Sequence, residues 1–206
     1  MNFLAHALLA GDHPALIVGG VIGDWIKGPL PGVLPGDLAK GVALHRAIDC
    51  YAESQPAFRL SRSRISADRR RYAGVIVDVI YDHLLARNWT AVHHQPLHEY
   101  CDTVYRLIRG RLNELPASSH SALRLMEMED WLSSYAQVEG IADVLVRMSR
   151  RARQPNPLAY GEQEFLADIE GFTGDFLVWL DDTKAFCQRW RNMELTEGQP
   201  VATSRI

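Results

Sequence analysis

The sequence predicts an all-α, single-domain helical bundle. Apolar residues recur at helical spacing, most clearly where Val75, Ile76, Val79 and Ile80 fall on one face at ~100° per residue. No stretch alternates apolar and polar residues as a half-buried strand would. Capping and breaking residues fall between the stripes, as at Asp12 with Pro14, and at Asp37 after the glycine- and proline-dense segment Gly28–Gly36. A chain of 206 residues suits one domain, and it buries a sizeable core without disulfides. The helical domain is expected over residues 1–195. The polar, patternless end, 196–206, is expected to fray.

Taken in order, Asn2–Ala10 reads as a short helix stopped by Gly11. Asp12 can cap a second helix, with Pro14 in its first turn, running to about Lys27. Asp37 caps the next, where Leu38, Val42, His45 and Asp49 form one stripe. Pro56 opens a short helix bearing the first arginines, and Asp68 opens the helix that contains Asp78-Val79-Ile80-Tyr81-Asp82-His83. Asn88–Pro96 is a connection, with Trp89 turned back onto the core. Further helices are expected at Leu97–Leu115, Ser119–Tyr135, Val138–Arg151 and Gly161–Glu194, the last with a break near Gly171 or Gly174.

Composition narrows the function. The chain is 47% hydrophobic and 23% charged, as an ordinary soluble globular protein is. A formal charge of −3 gives no global argument for nucleic acid. The three cysteines, Cys50, Cys101 and Cys187, stand far apart, so neither a thiol zinc site nor a redox pair is expected. Met1–His6 has no basic stretch of the signal-peptide kind, and Ala15–Ile26 is too short and too interrupted to span a bilayer. No membrane partner is expected, and a cytoplasmic location is.

The chemistry-bearing residues sit where core should be. Asp24 follows Ile17 by seven and Val21 by three, so it shares their face. His45 and Asp49 are one turn apart and can approach one point. Asp78 and Asp82 repeat that spacing, with His83 adjoining. Carboxylates beside buried surface require a positive partner or a cation. Carboxylates mixed with imidazoles suit Mg, Mn, Fe or Zn. Any one of these residues alone reads as capped, ion-paired to Arg46, Arg70 or Arg71, or satisfied in the core; their recurrence on apolar faces favours a site.

Other features are weaker. The histidines His93, His94 and His98 lie in an expected loop, and Trp131, Trp179 and Trp190 read as packing. No phosphate-binding loop, nucleophile elbow or H-E-x-x-H occurs, and no E-x-x-H pair supports a ferritin-like di-iron centre.

Four motifs in order, Met1-Asn2-Phe3-Leu4-Ala5-His6, Gly23-Asp24-Trp25-Ile26-Lys27-Gly28, Leu44-His45-Arg46-Ala47-Ile48-Asp49 and Asp78-Val79-Ile80-Tyr81-Asp82-His83, resemble the acyl carrier protein phosphodiesterase family. Arg69-Arg70-Arg71, Trp89 and Met148-Ser149-Arg150-Arg151 extend the likeness, which covers Met1 to Arg153. The resemblance implies an HD-domain-like helical hydrolase that uses a divalent cation, manganese first, with magnesium or iron(II) as alternatives. It implies removal of 4′-phosphopantetheine from the serine of holo-acyl carrier protein.

On that reading Asp24, His45, Asp49, Asp78, Asp82 and His83 are the pool of metal ligands and water-activating groups. His6 is a further polar group of the site, and Lys27 and Arg46 neutralise the phosphodiester. Acyl carrier proteins are small and acidic, so Arg59, Arg62, Arg64, Arg69, Arg70 and Arg71 are expected to meet the carrier. Two rivals remain at this point: an HD-like phosphohydrolase of a nucleotide or other small phosphoester, and a non-catalytic helical module that binds an acidic protein.

Overall fold

The computed structural model describes residues 3–152 and 154–196, and these form twelve α-helices and no strand. The first, α1 (Phe3–Leu9), is followed by α2 (Pro14–Ile22), whose N-cap is His13 rather than Asp12. Pro14 suits the first turn because its missing N–H has no intrahelical partner there. Past Ile22 the chain tightens into a 3₁₀ turn, Gly23–Trp25, closed by Ile26 N donating to Gly23 O at 3.1 Å. The helix therefore stops five residues short of Lys27, and Asp24 rides on the tight turn. Phe3 and Trp25 stack at 5.3 Å and hold that turn against α1.

Next come α3 (Gly36–Ser54) and α4 (Pro56–Arg64), then a 3₁₀ turn over Ala67–Tyr72 that contains Asp68. The long-range centre is α5 (Ala73–Arg87), which begins only after Tyr72. Every residue from Val79 to Ala86 is buried, so the second half of α5 is enclosed on all sides rather than amphipathic. The connection after it holds α6 (Trp89–Val92), and Trp89 packs inward at 2% exposure. Then follow α7 (Leu97–Arg111), α8 (Ala117–Met128), α9 (Trp131–Ser134), α10 (Val138–Arg151), α11 (Glu162–Ala167) and α12 (Ile169–Thr196).

Aspartates break the helix expected over Ser119–Tyr135 and place the break expected within Gly161–Glu194. Asp130 adopts a left-handed conformation (φ 43°), and its carboxylate accepts from Ser133 N, separating α8 from α9. Asp168 accepts from Gly171 N, so the expected break falls there instead of at Gly171 or Gly174. Short carboxylates compete with the helical ladder by bonding nearby backbone. The expected fraying of 196–206 lies outside the described residues, apart from Thr196, the last residue of α12.

Among these elements α2 and α3 approach unusually closely. A Cβ placed on Gly19 would lie 2.5 Å from the Cα of Gly41, so only glycines permit this crossing. Its consequence is positional: α3 brings His45 against the backbone of α2. No described helix is long and apolar enough to cross a membrane.

Candidate functional site

His45 lies on the buried stripe of α3. Its Nδ1 is 2.8 Å from the carbonyl oxygen of Gly20, so Nδ1 carries the hydrogen and donates. The ring then turns Nε2 toward Asp49 Oδ2, at 3.2 Å, with Asp24 Oδ1 at 3.8 Å. A lone pair facing two carboxylates is unfavourable until a proton or a metal cation comes between them. Gly23 makes room for the ring, because a Cβ there would fall 2.2 Å from His45 Cγ.

His6 completes the cluster from α1. Its Nε2 lies 3.2 Å from Asp49 Oδ1, and its ring stacks on His45 with centroids 3.9 Å apart. Burial, reinforced by the neighbouring His45, lowers the His6 pKa to about 4, so the imidazole is neutral at pH 7 and available as a ligand. His6 Nδ1 is buried and has no hydrogen-bond partner among the described residues. Burial works against the Asp49 anion, but hydrogen bonds with His45 and His6 outweigh it and hold the carboxyl well below the usual range. One donor atom from each of His6, His45 and Asp49 lies within 4.8 Å of the others, a set that fits a divalent cation.

Asp24 and Asp49 stand on the wall between two cavities. One, about 330 Å³, is also lined by Glu53, Phe58, Val75 and Asp78. The other, about 370 Å³, is lined by Ile26, Lys27, Gly28, His45 and Arg46. Burial raises the Asp78 carboxyl above its ordinary value. Arg46 donates from Nη2 to Ile26 O at 3.1 Å, which orients its guanidinium along the second cavity. A larger hollow of about 660 Å³ along α7 contains none of the expected site residues, and its Arg109 is paired to Glu127.

Asp82 and His83 fall outside the close donor set. Asp82 is fully buried and accepts from Leu4 N at 3.0 Å and Ala5 N at 2.8 Å, capping the first turn of α1 from across the core. Burial pushes its carboxyl up to about 8, against the pull of those two N–H groups. His83 Nδ1 donates to Tyr135 O at 2.7 Å, and its ring meets Phe165 edge-on at 5.0 Å. Adjacent residues of one helix point ~100° apart, which sends these two to different neighbours.

The arginines also divide. Arg64 pairs with Asp168 and Asp175, and Arg69 pairs with Glu164 and donates to Pro157 O. These bind α4 and the turn after it to α11 and α12. Arg62 pairs with Glu53, Arg59 donates to Glu53 O, and Arg70 and Arg71 are exposed. No sequence pattern singles out Gly20, Glu53 or Phe58, and Gly23 is marked only as the start of its motif. Gly23 adjoins the quoted Asp24, but nothing local announces that Gly20 O meets a histidine 25 residues on.

A family model described as acyl carrier protein phosphodiesterase matches residues 1–183. The chain is 34% identical over 180 residues to the acyl carrier protein phosphodiesterase of Pectobacterium atrosepticum, covering 87% of this chain and 92% of that protein. The protein of the same name from Yersinia pestis is 34% identical over 152 residues, or 73% and 79% of the two chains. That from Photorhabdus laumondii is 31% identical over 182 residues, 87% of this chain and 90% of its own. No solved structure matches. The matched segment contains every residue of the cluster, from His6 to Asp78, and the chain belongs to the acyl carrier protein phosphodiesterase family.

Proposed function

We propose that this enzyme is a metal-dependent phosphodiester hydrolase that frees 4′-phosphopantetheine from the serine of holo-acyl carrier protein. The observation that carries the metal is His45 Nε2 set against Asp49 and Asp24, with His6 Nε2 on the same Asp49 carboxylate. His6, His45 and Asp49, with Asp24 beside them, would hold the cation. When bound, a divalent cation supplies Lewis acidity and eases deprotonation of water near neutral pH. The family resemblance puts manganese first, with magnesium and iron(II) the alternatives, and a mixed imidazole and carboxylate set can hold such ions.

The chain's own groups do the rest. Gly20 O fixes the His45 tautomer, and Asp82 fixes the helix that carries His6. Lys27 and Arg46 line the cavity beside Asp24 and offset phosphoryl charge, Arg46 through its remaining N–H groups. Asp78, raised by burial, is suited to hold the proton that the leaving serine oxygen takes up. In the net reaction water adds at phosphorus, the serine O–P bond breaks, and apo-carrier protein and 4′-phosphopantetheine result. The histidine–aspartate donors on neighbouring helices also support kinship with HD-domain hydrolases. Free, buried Cys101 and Cys187 suit a cytoplasmic setting.

Mass analysis of holo-carrier protein incubated with enzyme and manganese tests this reading. Loss of the arm is expected, with heavy oxygen from labelled water appearing on the released phosphate. No loss under any divalent metal, or label on the serine, overturns it.

A further inference from the structure

The two cavities that share Asp24 and Asp49 open onto surfaces of different chemistry. At the edge of the Glu53–Phe58 cavity, Glu53 O accepts from Arg59 Nε at 3.0 Å and the Glu53 carboxylate pairs with Arg62. Arg59, Arg62 and Arg70, with Ser63, surround a shallow hollow of about 250 Å³ that has no carboxylate in its lining. Leu60, between the first two, is 54% exposed. From Pro56 to Tyr72 there are six arginines and one aspartate, in a chain whose net charge is −3. Arg64 and Arg69 are held by carboxylates of α11 and α12 and the segment joining them, so Arg59, Arg62 and Arg70 form the outward basic lip. The opposite cavity has a smaller cationic complement, Lys27 and Arg46, beside Ile26 and the carboxylates.

We infer that the substrate crosses the Asp24–Asp49 wall in one direction only. A carboxylate-rich protein face docks on the Arg59–Arg62–Arg70 lip, its serine reaches in through the Glu53–Phe58 cavity, and the pantetheine arm lies in the Lys27–Arg46 cavity. This rests on the proposed function and assigns its polarity. The exposed Arg62–Glu53 pair contributes little by itself, so a partner carboxylate can replace Glu53 at small cost. Charge of this kind speeds encounter and fixes orientation. A volume near 370 Å³ falls within the range of small-ligand pockets, and its two cations sit where the phosphate end of the arm would enter.

Calorimetry with the two halves of the substrate tests the polarity without requiring turnover. Arg59→Glu with Arg70→Glu should weaken apo-carrier protein binding by about tenfold or more at low salt, with the loss shrinking as salt rises, and leave 4′-phosphopantetheine binding unchanged. Lys27→Glu should do the reverse. If the arginine reversals leave apo-carrier binding intact, or Lys27→Glu weakens it instead, the polarity is wrong. Folding of each variant is checked by circular dichroism, and the conservative Arg59→Lys with Arg70→Lys should retain apo-carrier binding. Absence of hydrolysis by the wild type would sink the proposed function, whereas the binding pattern decides the orientation alone.

Discussion

His45 Nδ1 and the carbonyl oxygen of Gly20 lie 2.8 Å apart, and this one hydrogen bond decides what the other face of the ring can do. It turns Nε2 toward Asp49 and Asp24. The bond exists because Gly19 and Gly41 let α2 and α3 touch backbone to backbone. Local glycines thus set the chemistry of a histidine on another helix.

Gly23→Ala tests that dependence. The added methyl would sit 2.2 Å from His45 Cγ and drive the ring from its place. Manganese affinity and kcat should fall by on the order of 10–100-fold, as when a ligand's orientation is lost. The helical circular-dichroism signal should persist. Unchanged metal affinity by calorimetry would mean that His45 is not a ligand.

Asp49→Asn removes the anion that His6 and His45 share. We expect kcat/KM to drop by more than about 100-fold and metal binding to weaken in parallel. Chelation of the wild type should produce the same loss, reversed by adding manganese. Full activity after exhaustive chelation would remove the metal from the mechanism.

Asp82→Ala separates support from ligation. It leaves the buried N–H groups of Leu4 and Ala5 without their acceptor, at a cost of roughly 1–3 kcal/mol each. Denaturant unfolding should show this loss, and kcat should fall because α1 carries His6. Asp82→Asn, which keeps one acceptor, should recover part of both. Lost metal binding with stability unchanged or raised would instead make Asp82 a ligand.

Stability should also depend on Glu164. Burial alone would raise its carboxyl, but hydrogen bonds from Ser66 and Arg69 outweigh it and the pKa is lowered. A carboxyl depressed on folding contributes stability above its unfolded pKa of about 4.3 and loses it as pH falls through the folded value. Unfolding of wild type and Glu164→Gln should therefore differ more at pH 7 than at pH 3. An equal difference at both would assign Glu164 no linked proton.

The sequence by itself determined the all-helical class, the helix Val138–Arg151 to the residue, and the one-turn pairing of His45 with Asp49. These follow from periodicity and spacing along one helix, which are local. The break at Asp130 was not legible, and the break expected near Gly171 falls at Asp168, because an aspartate inside a helical pattern reads as polar surface until its carboxylate is seen on a nearby N–H. Tertiary structure alone decided that His6 joins His45, and that adjacent Asp82 and His83 serve α1 and Tyr135. It also decided which arginines face outward, since Arg64 and Arg69 are neutralised by carboxylates about 100 residues away in sequence. A side chain's partner across the core depends on how helices cross, and here that crossing is set by the closest approach of their backbones.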